Sequence, residues 1–145
     1  MPDPVTILLV EDDPGHARLI EKNLKREKVA NKLVIVRNGK EATDYLFGEG
    51  MYSDFERPST LLVLLDLNLP VMNGFQVLQR VKSNDKTKGI PVIVLTSADD
   101  KGDVVRCYDL GCNVFMTKPV NYEKFCETIR NLAVIMSVIS LPERG

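Results

Sequence analysis

The chain has 145 residues, enough for one domain with a substantial core that needs no disulfide or metal to fold. Its 19 basic and 20 acidic residues nearly balance, which argues against a nucleic-acid or anionic-membrane surface built on bulk charge. Neither a signal peptide nor an apolar run of about 18 residues occurs, so we expect no membrane span and a cytoplasmic location. Three cysteines without a C-x-x-C spacing are expected to be free, buried thiols: Cys107, Cys112 and Cys126.

The first half of the chain alternates short apolar runs with helical patterns. From Pro14 onward, Ala17, Ile20 and Leu24 share one helical face. Residues 48–59 mix glycine, proline, charged and aromatic residues, which predicts a surface loop. Strands are predicted at Val5–Val10, Leu33–Val36 and Leu61–Leu65, and a second helix at Glu41–Phe47 with Ala42, Tyr45 and Leu46 inward.

The second half continues the alternation. After Asn73, Gly74, Val77, Leu78 and Val81 repeat at helical spacing. A polar loop is predicted at Ser83–Gly89, and strands at Pro91–Leu95 and Asn113–Met116. A helix is predicted at Asp99–Leu110, where Gly111 stops it. A last helix is predicted from about Asn121 to Ile139, with a core stripe of Tyr122, Phe125, Ile129, Leu132 and Met136. Five strand–helix units of this kind predict a parallel sheet with helices on both faces.

Polar residues stand where the predicted strands end. Asp66 directly follows the five aliphatic residues Leu61–Leu65, so a buried strand delivers its carboxylate to the rim of the sheet. The carboxyl ends of parallel strands share one edge, so the other strand ends should lie near it. Those strand ends carry Glu11 and Asp12, Thr96 and Ser97, and Lys118.

Such a rim suits phosphoryl chemistry. Several carboxylates in one pocket repel, so either some are protonated or a cation sits among them. Oxygen ligands without histidine or cysteine favour Mg²⁺ before Ca²⁺, and Mg²⁺ readily accepts a phosphate oxygen. A lysine and a hydroxyl are the donors that a transferred phosphoryl group needs, and an aspartate there can itself be the nucleophile.

In order and spacing, these residues resemble the receiver domain of two-component response regulators. The motifs are Glu11-Asp12, Leu-Asp-Leu-Asn-Leu-Pro around Asp66, Thr96-Ser97 and Lys118-Pro119, and the resemblance runs from about Val5 to Ile139. It implies a CheY-like, flavodoxin-like α/β fold of five parallel strands in the order 2-1-3-4-5.

The resemblance also implies roles for individual residues. Asp66 would accept a phosphoryl group from the phosphohistidine of a histidine kinase. Asp12 and Asp66 would bind Mg²⁺ through their carboxylates, Asn68 through its backbone carbonyl, and Glu11 through water.

On the phosphoryl side, the resemblance implies that Thr96, with Ser97 beside it, would hydrogen-bond the phosphoryl group. Lys118 would pair with the group, aimed by a cis peptide bond to Pro119. Phe115 falls at the switch-aromatic position of the fifth strand, where many relatives carry tyrosine, and would swing inward when Thr96, the other switch residue, moves.

After Pro119 only one helix and a short tail remain, so we expect a single receiver domain over residues 1–145 with no output domain. Such a protein would be a phosphoryl acceptor with slow self-catalysed phosphorylation and dephosphorylation, and not a turnover enzyme. Its partner would be a histidine kinase or a phosphotransfer protein. The long loop before the third strand and Ser140-Leu141-Pro142 look similar to regulators paired with phytochromes, which makes a phytochrome kinase a candidate.

Near its end, the last helix carries apolar residues on nearly all of its faces. A surface helix that packs on the core through one face needs apolar residues on that face only. Either the 48–59 loop or the tail covers the additional face, or the face binds a partner or a second copy of the chain. The residues of this predicted homodimer surface are Val134, Ile135, Val138 and Ile139.

Two other functions stay open. Aspartate-nucleophile phosphatases use similar residues, but they place a second acid two positions after the nucleophile, where this chain has Asn68, which cannot transfer a proton. A pseudo-receiver would bind partners without phosphorylation, against which the intact Asp12, Asp66, Thr96 and Lys118 argue. Of the single residues, Asp13 is expected to be a loop acid or helix N-terminal charge. His16 is expected to be a solvent-facing helix residue near the site, and Gly74 a close-packing or turn glycine.

Overall fold

The computed structural model describes residues 5–29, 32–54, 56–58, 60–97 and 100–138, with side chains of the last helix described up to residue 132. Strands and helices alternate along this part of the chain. The strands are β1 (Thr6–Val10), β2 (Lys32–Val36), β3 (Leu61–Leu65), β4 (Val92–Thr96) and β5 (Val114–Thr117). The helices are α1 (Pro14–Glu27), α2 (Gly39–Phe47), α3 (Gly74–Lys82), α4 (Lys101–Asp109) and α5 (Tyr122–Val138), with a 3₁₀ turn at Gly50–Tyr52.

All strand pairs are parallel, and the order is β2-β1-β3-β4-β5. This confirms the predicted order. Val10, the last residue of β1, lies opposite Val36 and Leu65, and Thr96 lies opposite Thr117. The strands therefore end at one edge, where their following residues meet.

The central strands β1, β3 and β4 are buried throughout, as their runs of aliphatic residues require, whereas the edge strands β2 and β5 are partly exposed. Side chains of β1 and β3 alternate between two cores because successive residues of a strand point to opposite faces. One core contains Leu8, Val10, Val63 and Leu65 with the inner faces of α2 and α3. The other contains Ile7, Leu9, Leu62 and Leu64 with the inner faces of α1 and α5.

The predicted inner faces of the helices are confirmed. On α1, α2 and α3, every residue that was predicted from helical spacing to face inward is buried. On α5, Phe125 and Ile129 are fully buried, while Tyr122 and Leu132 are partly buried against the same core. The three cysteines are free and buried, also as predicted.

The loops hold more structure than their composition indicated. Within the predicted loop 48–59, Glu49 forms an ion pair with Arg80 of α3 at 2.9 Å, and Arg80 also covers the Phe47 ring. In the predicted polar loop 83–89, Thr87 is fully buried and its hydroxyl donates to the carbonyl of Val81 at 2.7 Å. These contacts attach the loops that precede β3 and β4 to α3.

The end of α5 lies outside the described side chains. The predicted homodimer surface of Val134, Ile135, Val138 and Ile139, and Met136 of the predicted core stripe, fall there. Among the described residues, none of the helices has both the length and the apolar content to cross a bilayer.

Candidate functional site

The carboxylate of Asp66 is the centre of the edge at which the strands end. Its side chain is only 10% exposed. Oδ1 accepts hydrogen bonds from Thr96 Oγ1 at 2.9 Å and from the Asn68 backbone N–H at 3.1 Å. Oδ2 accepts from Lys118 Nζ at 3.0 Å. The last residue of β4 and residues that follow β3 and β5 therefore hold one carboxylate.

Gly74 allows α3 to pack directly on the chain that carries Asp66. A Cβ at this position would stand 2.3 Å from the Asp66 carbonyl oxygen and 2.6 Å from the Leu67 Cα. Backbone atoms cannot move aside as a flexible side chain can, so only glycine fits here without displacing the residues around Asp66. This is the close-packing role expected for Gly74, and it links the start of α3 to the site.

Lys118 connects the acidic groups of the edge. Its backbone N–H donates to the Thr96 carbonyl at 2.8 Å, and the following peptide bond, to Pro119, is cis. The Lys118 side chain is 12% exposed, and its ammonium group forms ion pairs with both Glu11 and Asp66. One cation is thus shared by the ends of β1 and β3.

Glu11 is almost fully buried at the end of β1, with a side chain 3% exposed. Its Oε1 pairs with the Lys118 ammonium, and its Oε2 accepts from the backbone N–H of Asp13 at 3.1 Å. The next acid, Asp13, caps α1: its side chain accepts from the N–H groups of Gly15 and His16. This confirms the helix N-terminal role expected of Asp13.

The buried charges shift each other's protonation. Burial raises the pKa of Glu11, aided by the nearby charge of Asp66, and the hydrogen bonds from Lys118 and Asp13 oppose that shift only in part. For Lys118, burial alone would lower the pKa, but the hydrogen bonds and charges of Glu11 and Asp66 outweigh it and the pKa is raised. The two neighbouring carboxylates thus favour the charged form of Lys118.

The remaining predicted site residues lie at the same edge but are more open. Asp12, Asn68 and Ser97 are exposed, and of these Asn68 contacts the Asp66 carboxylate through its backbone N–H. In the described part of the chain, no group of three or more His, Cys, Asp or Glu side chains is placed to enclose a metal ion. The direct side-chain contacts at this edge join Glu11, Asp66, Thr96 and Lys118.

Phe115 on β5 is half-buried against the core beneath α2 and α3. Its backbone N–H donates to the hydroxyl of Tyr108 on α4 at 3.0 Å. Sequence reasoning missed this contact, since nothing in the spacing of the two residues indicates that Tyr108 reaches back to the edge strand. The tyrosine hydroxyl ties α4 to β5 at the position of the predicted switch aromatic.

His16 makes a second contact that the sequence did not predict. Its side chain is 48% exposed, in line with the expectation of a solvent-facing residue. Yet its Nδ1 lies 3.2 Å from Lys118 Nζ, across 102 residues of chain. The N-cap at Asp13 fixes the backbone of His16 in the first turn of α1, close to the end of β5.

Comparison with known proteins agrees with this geometry. The sequence matches the family described as response regulator receiver domain over residues 7–130. Response regulator Rcp1 of Synechocystis sp. is 36% identical over 140 residues, which is 96% of this chain and 94% of Rcp1. The crystal structure of the Mn²⁺-bound form of Rcp1 superposes with a TM-score of 0.78 over 97% of this chain and 100% of that one.

Two further solved structures are similar over nearly their whole length. The phosphorylated cyanobacterial phytochrome response regulator RcpA is 38% identical with a TM-score of 0.77, covering 95% of this chain and 98% of RcpA. The bacteriophytochrome response regulator AtBRR is 40% identical with a TM-score of 0.77, covering 99% and 100% of the two chains.

The chain belongs to the response regulator receiver domain family. Receiver domains are phosphoryl acceptors in two-component signalling, so a role in phosphorelay signal transduction follows from membership of the family. Within the family, its sequence is similar to those of phytochrome-associated regulators. The aspartate-nucleophile phosphatase is correspondingly disfavoured.

Proposed function

We propose that Asp66 accepts the phosphoryl group in this relay. The observation that carries the proposal is the Asp66 carboxylate itself, which is held by Thr96 and by the Asn68 N–H on one oxygen and by Lys118 on the other. No other acid in the described part of the chain receives both a side-chain hydroxyl and a lysine ammonium. Those are the donors that a transferred phosphoryl group requires.

The transfer is an in-line displacement at phosphorus. A carboxylate oxygen of Asp66 forms the new O–P bond, and the N–P bond of the donor phosphohistidine breaks, with its electron pair returning to the leaving imidazole. The Lys118 ammonium and the Thr96 hydroxyl then donate to the phosphoryl oxygens and stabilise the charge spread over them.

A divalent cation fits the acidic end of the site. Two carboxylates, those of Glu11 and Asp66, already converge on one cation, the Lys118 ammonium, and all candidate ligands are oxygens. Mg²⁺ needs only one or two carboxylates because it keeps several waters, so a closed cage of acids is not required. Asp12, Asp66 and the Asn68 carbonyl would hold it, with Glu11 acting through water, and bound there it would neutralise phosphoryl charge. The existence of a Mn²⁺-bound form of Rcp1 supports the binding of a divalent ion.

A histidine kinase or a phosphotransfer protein is the proposed donor, and a phytochrome kinase is the first candidate. Support comes from RcpA and AtBRR, which are phytochrome and bacteriophytochrome response regulators and resemble this chain over nearly its full length. Action as a single domain without an output domain, residence in the cytoplasm and homodimerisation through the end of α5 stay predictions.

The proposal is tested by incubating the protein with acetyl phosphate, with and without Mg²⁺, and following its intact mass. We expect a gain of one phosphoryl group that depends on Mg²⁺ and is lost in Asp66→Asn, a nearly isosteric change. Asp12→Asn serves as a comparison, since it should weaken Mg²⁺ binding, so that phosphorylation needs more Mg²⁺, and leave the acceptor in place.

The same assay separates the alternatives. Rapid multiple turnover of phosphomonoesters would favour the aspartate-nucleophile phosphatase. The absence of any modification by acetyl phosphate, together with no uptake of beryllofluoride, would favour the pseudo-receiver and contradict the proposal.

A further inference from the structure

The ammonium group of Lys118 has three N–H bonds and three acceptors around it. Two are the carboxylates of Glu11 and Asp66, and the third is Nδ1 of His16 at 3.2 Å. A lysine ammonium has no acceptor atom, so the histidine nitrogen must receive this hydrogen bond. In the imidazole, Nδ1 therefore carries the lone pair and Nε2 the proton.

The geometry favours this pairing over an ion pair of His16 with Glu11. The distance from His16 Nδ1 to Glu11 Oε1 is 3.9 Å, beyond the range of a hydrogen bond, whereas 3.2 Å to Lys118 lies at its upper end. A proton on Nδ1 would also face the Lys118 ammonium directly. The position of the ring is also fixed through its backbone, because the His16 N–H donates to Asp13 Oδ1 of the N-cap at 3.0 Å.

We propose that His16 is a positioning residue for phosphorylation of Asp66. By accepting the third N–H of Lys118, its Nδ1 holds the ammonium between Glu11 and Asp66, with one N–H aimed at the carboxylate that reacts. This inference rests on the proposed function of Asp66. Without His16 the third N–H turns to water, and the long lysine side chain regains rotational freedom that must be lost again during transfer.

The test uses acetyl phosphate and Mg²⁺, so that no kinase contact enters, and compares initial rates of phosphorylation. We expect His16→Ala to slow the reaction by about threefold to tenfold, the scale of one hydrogen bond to a charged group at a half-exposed site. His16→Asn should restore most of the rate, because its amide oxygen branches from Cγ as Nδ1 does. Arg18→Ala, an exposed change on the same helix, should leave the rate unchanged.

Equal rates for His16→Ala and the wild type would overturn the inference. So would a His16→Asn variant that is folded but as slow as His16→Ala, since the acceptor at Cγ would then be irrelevant. Circular dichroism of each variant establishes that it is folded.

A second measurement is independent of phosphorylation. In mildly alkaline buffer, ¹⁵N NMR of the unmodified protein should show His16 as the Nε2–H tautomer, and Lys118→Met should change its Nδ1 shift. A wild-type His16 imidazole protonated on Nδ1 would contradict the contact. So would an Nδ1 chemical shift that is the same in Lys118→Met as in the wild type. If the wild type takes up no phosphoryl group, the proposed function fails, and this spectrum still decides whether His16 holds Lys118.

Discussion

Asp66 Oδ2 accepts a hydrogen bond from Lys118 Nζ at 3.0 Å, across 52 residues of chain and across one intervening strand. That strand, β4, ends in Thr96, whose hydroxyl binds the other oxygen of the same carboxylate. Three neighbouring strand ends are thus joined through one side chain. The stability of this edge and its reactivity consequently depend on the same few atoms.

The Lys118 ion pairs should make stability depend on alkaline pH. Because the pKa of Lys118 is raised in the folded state, its contribution is present below the pKa of an unfolded lysine, about 10.4, and is lost as pH rises through the folded value. We expect Lys118→Met to cost about 3 kcal/mol at neutral pH, since it leaves two buried carboxylates without their cation. Urea unfolding across neutral and alkaline pH measures both effects.

The control for this prediction is Lys101→Met, which removes an exposed lysine at the start of α4. Its stability should follow the wild type at every pH. A Lys118→Met variant that keeps the alkaline loss of stability would show that other groups cause it.

Thr96 should contribute more to reactivity than to packing. Thr96→Val keeps the shape of a fully buried side chain but removes the hydroxyl that donates to Asp66. We expect it to slow phosphorylation by acetyl phosphate about 100-fold, as for the loss of one donor to developing charge. Thr96→Ser keeps the hydroxyl and should stay within a few-fold of the wild-type rate, while losing about 1 kcal/mol of stability with its methyl group. Equal rates for both variants would refute the role of the hydroxyl.

Gly74 should not tolerate even one methyl group. In Gly74→Ala the Cβ would overlap the backbone of Asp66 and Leu67, so we expect a loss of about 3 kcal/mol and slower phosphorylation. Gly89→Ala is the matched control, because its Cβ would meet no heavy atom within 4 Å and its stability should hardly change. Comparable losses at the two positions, measured by urea unfolding, would argue against the packing account.

Val71 carries backbone strain beside the site. It adopts a φ of 68° although it is β-branched, and its side chain is 81% exposed, so no burial compensates. We expect Val71→Gly to raise stability by about 1 kcal/mol by relieving the left-handed conformation. Val105→Gly, in the interior of α4, should instead lower stability by about 0.5 kcal/mol. Thermal unfolding distinguishes the two, and a destabilised Val71→Gly would show that valine is not strained there.

Most of the fold was predictable because its signals are local. Runs of aliphatic residues that end in a charge or hydroxyl mark strands whose ends share an edge, and Asp66 after Leu61–Leu65 is the strongest case. Helical spacing likewise identified the buried side of α3 from Val77, Leu78 and Val81. Each of these features depends on only a few consecutive residues.

The unpredicted contacts depend on how separate elements cross. His16 of α1 contacts Lys118 after β5, and the hydroxyl of Tyr108 on α4 meets the Phe115 N–H on β5, so both contacts join separate elements. Thr87 is buried within a polar segment because its hydroxyl satisfies the Val81 carbonyl. Sequence spacing placed His16 near the site, one turn into the first helix, but it carries no information about which side chains of separate elements touch.

The most direct test of the account is to locate the phosphoryl group on the chain. Borohydride reduces an aspartyl phosphate to homoserine, so the protein is phosphorylated with acetyl phosphate and Mg²⁺, reduced, digested and mapped by peptide mass. We predict homoserine at position 66, with none in Asp66→Asn. Homoserine at Asp12 instead, or phosphorylation that persists unchanged in Asp66→Asn, would contradict it.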